Sequence, residues 1–186
     1  MIADKDRSGY IGASDTRFVV GNWNTKTFEK WWREKQGIVR NDFTNDAMMA
    51  GTAYEHKILD SLGILELEKD KQIIIDRLRV NLDGNTKYKI YEVKTHAVEK
   101  EFKVSKAYRE QVNVEMYASG IHEACIVAYA LQKEDYNNYF REIDKNRLSF
   151  HEIEYDEKFI QRYEKRLMYL SKCLQDGIFP DERDLT

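Results

Sequence analysis

In the stretch RVNLDGNTKYKIYEVKTH (79–96), Asp83 closes one apolar alternation, and Glu92, Val93 and Lys94 follow on the next. Two carboxylates on adjacent antiparallel strands joined by a turn lie within a few ångströms of one another. Left bare, they repel and raise each other's pKa. A divalent cation removes the conflict. Oxygen ligands at about 2.0–2.1 Å suit Mg²⁺, which keeps waters and accepts phosphate oxygens. Lys94 shares a strand face with Glu92. From there it can hold or deprotonate a water, or stabilise charge developing on phosphorus. The set suits metal-assisted hydrolysis of a phosphodiester. A solvated charged hairpin would use the same residue types, so the rest of the chain has to decide.

Two further residues bear on that choice. Glu55 lies in a helical stretch beside Gly51 and Ala53. A carboxylate on an apolar helix face needs a partner, and a metal or its water would serve; the alternative is a solvent-facing neighbour of His56 and Lys57. Gln111, in YREQVNVEMYASG (108–120), is placed to orient a water or bind a phosphate, or is an ordinary polar helix residue.

The elements that must position these groups are readable from their periods. GASDTRFVV (12–20) reads as a short helix with Ser14 or Asp15 as its cap. TKTFEKWWREKQG (25–37) and TNDAMMAGTAYEHKILDSLGI (44–64) are helices, ended by Gly37 and begun by Thr44 or Asn45 respectively. Residues 72–84 turn β-like, with Leu78, Val80 and Leu82 in alternation. DGNTK is the turn, and YKIYEVKT (88–95) the next strand. Residues 105–120 return to helix, and EACIVAYALQ (123–132) is an apolar strand of a sheet centre. Residues 137–154 suggest two outer strands, and 156–177 form a closing amphipathic helix. The order α-α-α-β-β-β-α-β-β-β-α gives an α/β (α+β) domain with a central mixed sheet flanked by helices. Trp23, Trp31 and Trp32 read as core rather than as a base-stacking platform.

Composition bounds the function. The chain has 186 residues, 42% apolar and 34% charged, with one proline, so it reads as a single folded domain over 1–186. No apolar run is long enough for a membrane span, and the N-terminus lacks the apolar segment of a secretory signal, so a cytoplasmic protein is expected. Cys125 and Cys173 are expected as buried free thiols. With no CxxC pair, a cysteine-ligated zinc or iron–sulfur site is not expected. The net charge of −3 argues against coating nucleic acid by bulk charge. Residues 1–40 (net +3) and 87–109 (net +4) are nonetheless basic stretches on an otherwise acidic chain.

Taken in order, the pieces resemble the lambda-exonuclease and YqaJ-type phage recombination nucleases, a branch of the PD-(D/E)XK superfamily. The resemblance covers residues 7–131. RSGYIGAS (7–14) resembles the family's opening Arg and its Ile-(Gly/Thr)-Ala/Gly-Ser segment. GTAYE (51–55) resembles its Gly-x-x-x-Glu helix, and LDG (82–84) with EVKT (92–95) its Pro-Asp-Gly and Glu-(Ile/Leu)-Lys. YREQVNVEMYASG resembles its Tyr-x-x-Gln-Val-x-x-x-Met-Tyr helix. The resemblance implies a restriction-endonuclease-like core. It implies Mg²⁺, with Mn²⁺ as a substitute, held by Asp83, Glu92 and the Val93 carbonyl, with Glu55 at the same centre. Lys94 would position and activate the attacking water, and Gln111 would line the site. Arg7 and Ser14 would grip the 5′-terminal phosphate of the strand being degraded, as an arginine fork and a helix N-terminus suit phosphate. It further implies double-stranded DNA ends as substrate, a single-strand annealing protein as partner, a homo-trimer, and a phage or prophage gene acting in a bacterial cytoplasm. The chain departs from the pattern at Leu82, where the family has proline, and at His96, which also often stands for a proline. The last 55 residues lie outside the resemblance.

The expected activity is a Mg²⁺-dependent 5′-to-3′ exonuclease on linear duplex DNA, serving phage-type recombination. The first rival is a structure- or sequence-directed endonuclease of the same superfamily, which would need a base-reading loop that this chain has no long insertion to supply. A non-catalytic DNA-end holder is the second, against which the full set of acids and Lys94 counts. Two cysteines are too few for a four-cysteine CRISPR-associated nuclease.

Overall fold

The protein is described here from a computed structural model, which covers residues 8–39 and 44–185. Strand β3 (Leu78–Asn85) is the hub of a six-stranded mixed sheet. One edge of β3 carries β2 (Glu68–Ile75), antiparallel from Ile75↔Leu78 to Glu68↔Asn85. Its other edge is shared. Strand β1 (Ile11–Gly12) pairs in parallel with Leu78 and Arg79, and β4 (Ile90–Ala97) pairs antiparallel with Gly84 and Asn85. On this second edge, between these two contacts, residues 80–83 pair with no strand among the described residues, and a cleft opens there. Strand β4 then runs parallel to β5 (Ala124–Leu131) from Ile90↔Ala124 to Ala97↔Leu131. Strand β6 (Leu148–Ile153) closes the sheet antiparallel to β5.

The helices cover both faces. Helix α1 (Thr16–Val19) is a single turn; α2 is Lys26–Lys35, α3 Asp46–Ser61, α4 Lys106–Ser119 and α5 Glu157–Asp176. Side-chain caps set their starts: Thr25, Asn45, Ser105 and Asp156 each accept an N–H of the first turn. Gly120 and Gly177 end α4 and α5 in the left-handed conformation. Helix α4 is the crossover that a parallel β4–β5 pair requires. One core layer joins Leu78, Val80, Leu82, Ile90 and Ile126 to α2, α4 and α5, and the second packs α3 through Ala50, Tyr54, Ile58 and Leu59 on Val93, Val127 and Tyr129. This is an α+β fold with a mixed sheet flanked by helices. Trp23, Trp31 and Trp32 lie in the core, and both cysteines are buried free thiols. No helix among the described residues is long and apolar enough to cross a membrane.

Four local expectations are corrected. Residues 12–20 form the end of β1, a tight turn at Ala13–Asp15 and the one-turn α1. Asp15 does not cap forward; its Oδ2 reaches back to the Gly12 N–H at 2.8 Å. The β-like stretch at 72–84 is the inner part of a hairpin whose two strands start at Glu68 and end at Asn85, turning at Asp76 and Arg77. Asp83 and Gly84 are not a turn but lie inside β3; the turn is one step later, where the Thr86 N–H donates to the Lys89 carbonyl at 2.9 Å. A Cβ at 84 would sit 2.9 Å from Leu59 Cδ2 of α3, so any larger residue would have to push that buried side chain aside. Residues 137–154 hold one strand, β6. The segment before it is irregular and tied down by buried Asp135, which binds Arg141 and Arg147.

Candidate active site

The cleft on the open edge of β3 is a cavity of about 250 Å³. Asp83, Glu92, Lys94, Gln111 and Ser14 line it, so five of the residues singled out in the sequence come together. Glu55 and Val93 line a second cavity of about 390 Å³, and Lys94 borders both. Gly51 explains the position of Glu55. A Cβ at 51 would lie 3.2 Å from Thr95 Oγ1, so glycine lets α3 approach β4, and Glu55 follows one turn later. Arg7 lies outside the described residues.

The register Gly84↔Tyr91 would next set Asp83 opposite Glu92, but the ladder stops there. Instead the Val93 N–H donates to Asp83 Oδ2 at 2.8 Å. Glu92 Oε1 accepts from Lys94 Nζ at 2.7 Å and from Gln111 Nε2 at 2.6 Å. Gln111 Oε1 in turn accepts from Lys94 at 3.2 Å. The ammonium also lies 4.9 Å from the centre of the Tyr108 ring.

Three carboxyls, Asp83, Glu92 and Glu115, act together on the Lys94 ammonium in this cavity, which Lys35 and Arg79 also line. Burial drives the Asp83 carboxyl well above the usual carboxylate range, and the charges of Glu92 and Glu55 add to it. Glu55 is raised by burial and by Glu92. Burial alone would lower Lys94, but Glu92, Glu115 and Asp83 outweigh it and hold the ammonium charged. Glu92 Oε2 is buried and receives no donor. An orphaned carboxylate oxygen beside a carboxyl that cannot ionise cheaply is what a hard cation relieves, so these residues fit a divalent metal. Among the described residues, the one group of three ligand side chains whose donor atoms all lie within 4.8 Å is Glu55, His56 and Asp70. Glu92 is not in that group; its Oε1 is held by Lys94 and Gln111.

Sequence reasoning missed several lining residues. Glu115 is fully buried, takes a hydrogen bond from Gln111 and is driven well above its ordinary value by burial and Glu92. Its spacing of four from Gln111 was the available signal. Lys35 and Arg79, each 6% exposed, form a basic wall with Tyr10 and Asn81 around Ser14. Lys35 pairs with Asp15 at 2.6 Å, and Asp15 also takes the Trp31 indole N–H. Asp70 and His56 pair at 2.9 Å, and Asp70 holds φ of 57° inside β2, where a non-glycine residue is uncommon. His96 Nδ1 contacts the carbonyls of Ala97 and Lys100, and its ring lies tilted against Phe102 at 5.4 Å.

Sheet, crossover helix and cleft together define the fold of known exonuclease structures. An alkaline exonuclease, LHK-Exo, from Laribacter hongkongensis superposes with a TM-score of 0.71 at 17% identity, covering 92% of this chain and 90% of that one. The same enzyme in complex with dAMP gives 0.69 at 18% identity over the same shares. A phage-related exonuclease from Haemophilus somnus 129PT gives 0.64 at 16%, covering 90% of this chain and 94% of that one. No protein-family model and no curated protein matches the sequence.

Proposed function

We propose that the protein is a divalent-metal-dependent deoxyribonuclease, a single nuclease domain that degrades one strand of linear duplex DNA from its 5′ end. The observation that carries this reading is the shared cavity of Ser14, Asp83, Glu92, Lys94 and Gln111 on the open edge of β3. The fold of two solved exonucleases supports it. Asp83, Glu92 and the Val93 carbonyl would hold Mg²⁺, or Mn²⁺ in its place, with Glu55 reaching it through water. When bound, the cation supplies neutralising charge and an acidified water.

The chain's own residues do the rest. Lys94, held charged, donates to the attacking water and to the charge that develops on the phosphate. Gln111 fixes the direction of Lys94 through its carbonyl oxygen. Exposed Ser14, with Arg7, takes the 5′-terminal phosphate, in a cavity that Lys35 and Arg79 also line. The 3′ single strand left behind would go to an annealing protein in phage-type recombination.

Blunt linear duplex, 5′-phosphorylated and labelled at either end, tests the reading with Mg²⁺ and a closed circle as control. Early loss of the 5′ label from linear DNA alone, abolished in Asp83→Ala and Lys94→Ala, is the expected result. Equal cutting of circles would replace the exonuclease with a structure- or sequence-directed endonuclease. No cleavage with Mg²⁺ or Mn²⁺ would remove the nuclease reading.

A further inference from the structure

Glu115 lies one helical turn after Gln111 on the same face of α4. It has no exposed surface. Its Oε1 accepts from Gln111 Nε2 at 2.8 Å, its Oε2 is buried with no protein N–H donor, and its carboxyl interacts directly with that of Glu92. A buried acid so incompletely partnered costs stability. Position 115 also falls on a variable place of the Tyr-x-x-Gln-Val-x-x-x-Met-Tyr pattern, so the motif itself does not call for an acid there.

The Gln111 amide gives it a purpose. Both amide hydrogens are used, one on Glu92 Oε1 at 2.6 Å and one on Glu115 Oε1 at 2.8 Å, and the amide oxygen accepts from Lys94 at 3.2 Å. The two acids are not equally permanent partners. Glu92 is a proposed cation ligand, and a carboxylate that turns toward a cation loosens its hold on protein donors. Glu115 lies deeper on α4 and is outside the proposed ligand set. It remains when Glu92 leaves.

We propose that Glu115 is a positioning residue, which keeps Gln111 turned with its carbonyl oxygen toward Lys94 when Glu92 is drawn to a cation. Its catalytic consequence rests on the nuclease reading above; the geometry does not.

The side-chain amide resonances of Gln111, assigned by their loss in Gln111→Ala, test the geometry without any activity. They are followed with and without Mg²⁺ in the wild type, in Glu115→Gln and in the size-matched Glu115→Met. Slow exchange of these protons that survives Mg²⁺ in the wild type and Glu115→Gln, and that Mg²⁺ abolishes in Glu115→Met, is the expected result. Protection that survives Mg²⁺ in Glu115→Met overturns the proposal. Should that variant not fold, the wild type decides alone: protection lost on adding Mg²⁺ overturns it.

In cleavage assays, Glu115→Met should lower kcat by about 10–100-fold, with KM for DNA ends and Mg²⁺ affinity by calorimetry unchanged. Glu115→Gln, which keeps an acceptor, should recover most of that loss. Gln111→Ala/Glu115→Met should be no slower than Gln111→Ala alone, because one residue acts through the other. Multiplying losses, or a collapse of Mg²⁺ affinity in Glu115→Met, would make Glu115 an independent group and sink the proposal. A wild type that cleaves no DNA would remove the nuclease reading and leave the resonance experiment to decide this one.

Discussion

Asp135 is a fully buried aspartate and Asp83 a half-buried one, and the chain treats them in opposite ways. Asp135 has no exposed surface, yet its acceptors are answered from within. Arg147 and the Gln132 N–H bind Oδ2, and Arg141 binds Oδ1. Burial would raise its carboxyl, but these donors outweigh burial and hold it below the ordinary value. Burial, with the charges of Glu92 and Glu55 added, raises the Asp83 carboxyl, and the single Val93 N–H it accepts does not offset them. Burial is common to both centres and marks neither as functional. What separates them is negative charge left without an answer, and that points to a cation or substrate from outside.

Removing charge from the two centres should therefore have opposite effects. Lys94→Ala is expected to lower the cleavage rate by about 10²–10⁴-fold, and Asp83→Asn by at least as much. Asp83→Asn should nevertheless melt higher than the wild type in EDTA. The asparagine oxygen still accepts the Val93 N–H, and the unanswered charge is gone. Calorimetric melting of the metal-free proteins checks this. A lower melting temperature for Asp83→Asn would mean that Asp83 is as well answered as Asp135, and the contrast would fail.

Asp135→Ala is the mirror experiment. It strands Arg147, whose side chain is 10% exposed and lies over the Tyr129 ring. Breaking such a buried pair costs about 3–5 kcal/mol. A chain of this size loses about 2–4 °C of melting temperature per kcal/mol. Turnover measured well below the transition should stay at the wild-type level, because Asp135 clasps the segment before β6 and touches nothing in the cleft. A loss of kcat in folded protein would show that the clasp also supports the site.

The sequence was legible where local chemistry decides. Caps at Thr25, Asn45 and Ser105 and the left-handed glycines at 37 and 120 are written into their own segments. The alternation of Leu78, Val80 and Leu82 gave β3 and its core face. Legibility ended where a distant partner decides. Asp-Gly is a turn dipeptide by local preference, but here it lies inside β3, with Leu59 of α3 packed close over the glycine at 84. The two residues of β1 form a strand because Leu78 and Arg79 pair with them, which no local pattern announces. In the site, the spacing of Asp83, Glu92 and Lys94 was visible, and the structure sets all three on one cavity. Glu115 looked like any helical acid, since only the packing of α4 on the sheet reveals its burial.

The same contrast fixes how stability depends on pH. Asp83 and Glu115 have folded-state pKa values above their unfolded ones. The native metal-free protein therefore binds more protons than the unfolded chain between those values, and loses stability as pH rises through that window. Asp135, with a lowered value, acts in reverse: its contribution is present at neutral pH and is lost as pH falls through its folded value. Melting curves from mildly acid to mildly alkaline pH, in EDTA and in Mg²⁺, should separate progressively as pH rises. In Asp83→Asn the separation should shrink. A gap independent of pH would show that the cleft carboxyls do not hold protons in the metal-free state.

Glu55, His56 and Asp70 form an intermediate case, and the smallest expected effect decides to which kind it belongs. Their ligand atoms lie within 4.8 Å of one another, so geometry alone would admit a cation. Unlike Asp83, however, Asp70 is answered by a basic side chain of the chain, His56 Nε2 at 2.9 Å, and both side chains are substantially exposed, at 24% and 40%. Hydrogen bonding to His56 and its charge help hold Asp70 below its ordinary value against burial. This is the pattern of Asp135 in a weaker, solvated form. His56→Ala is therefore expected to change stability by at most about 1 kcal/mol, as surface pairs do, and to leave Mg²⁺ affinity by calorimetry as it was. A Mg²⁺ affinity that falls in His56→Ala as it does in Asp83→Asn would place a cation on α3 and β2, and would move this cluster to the functional side of the contrast.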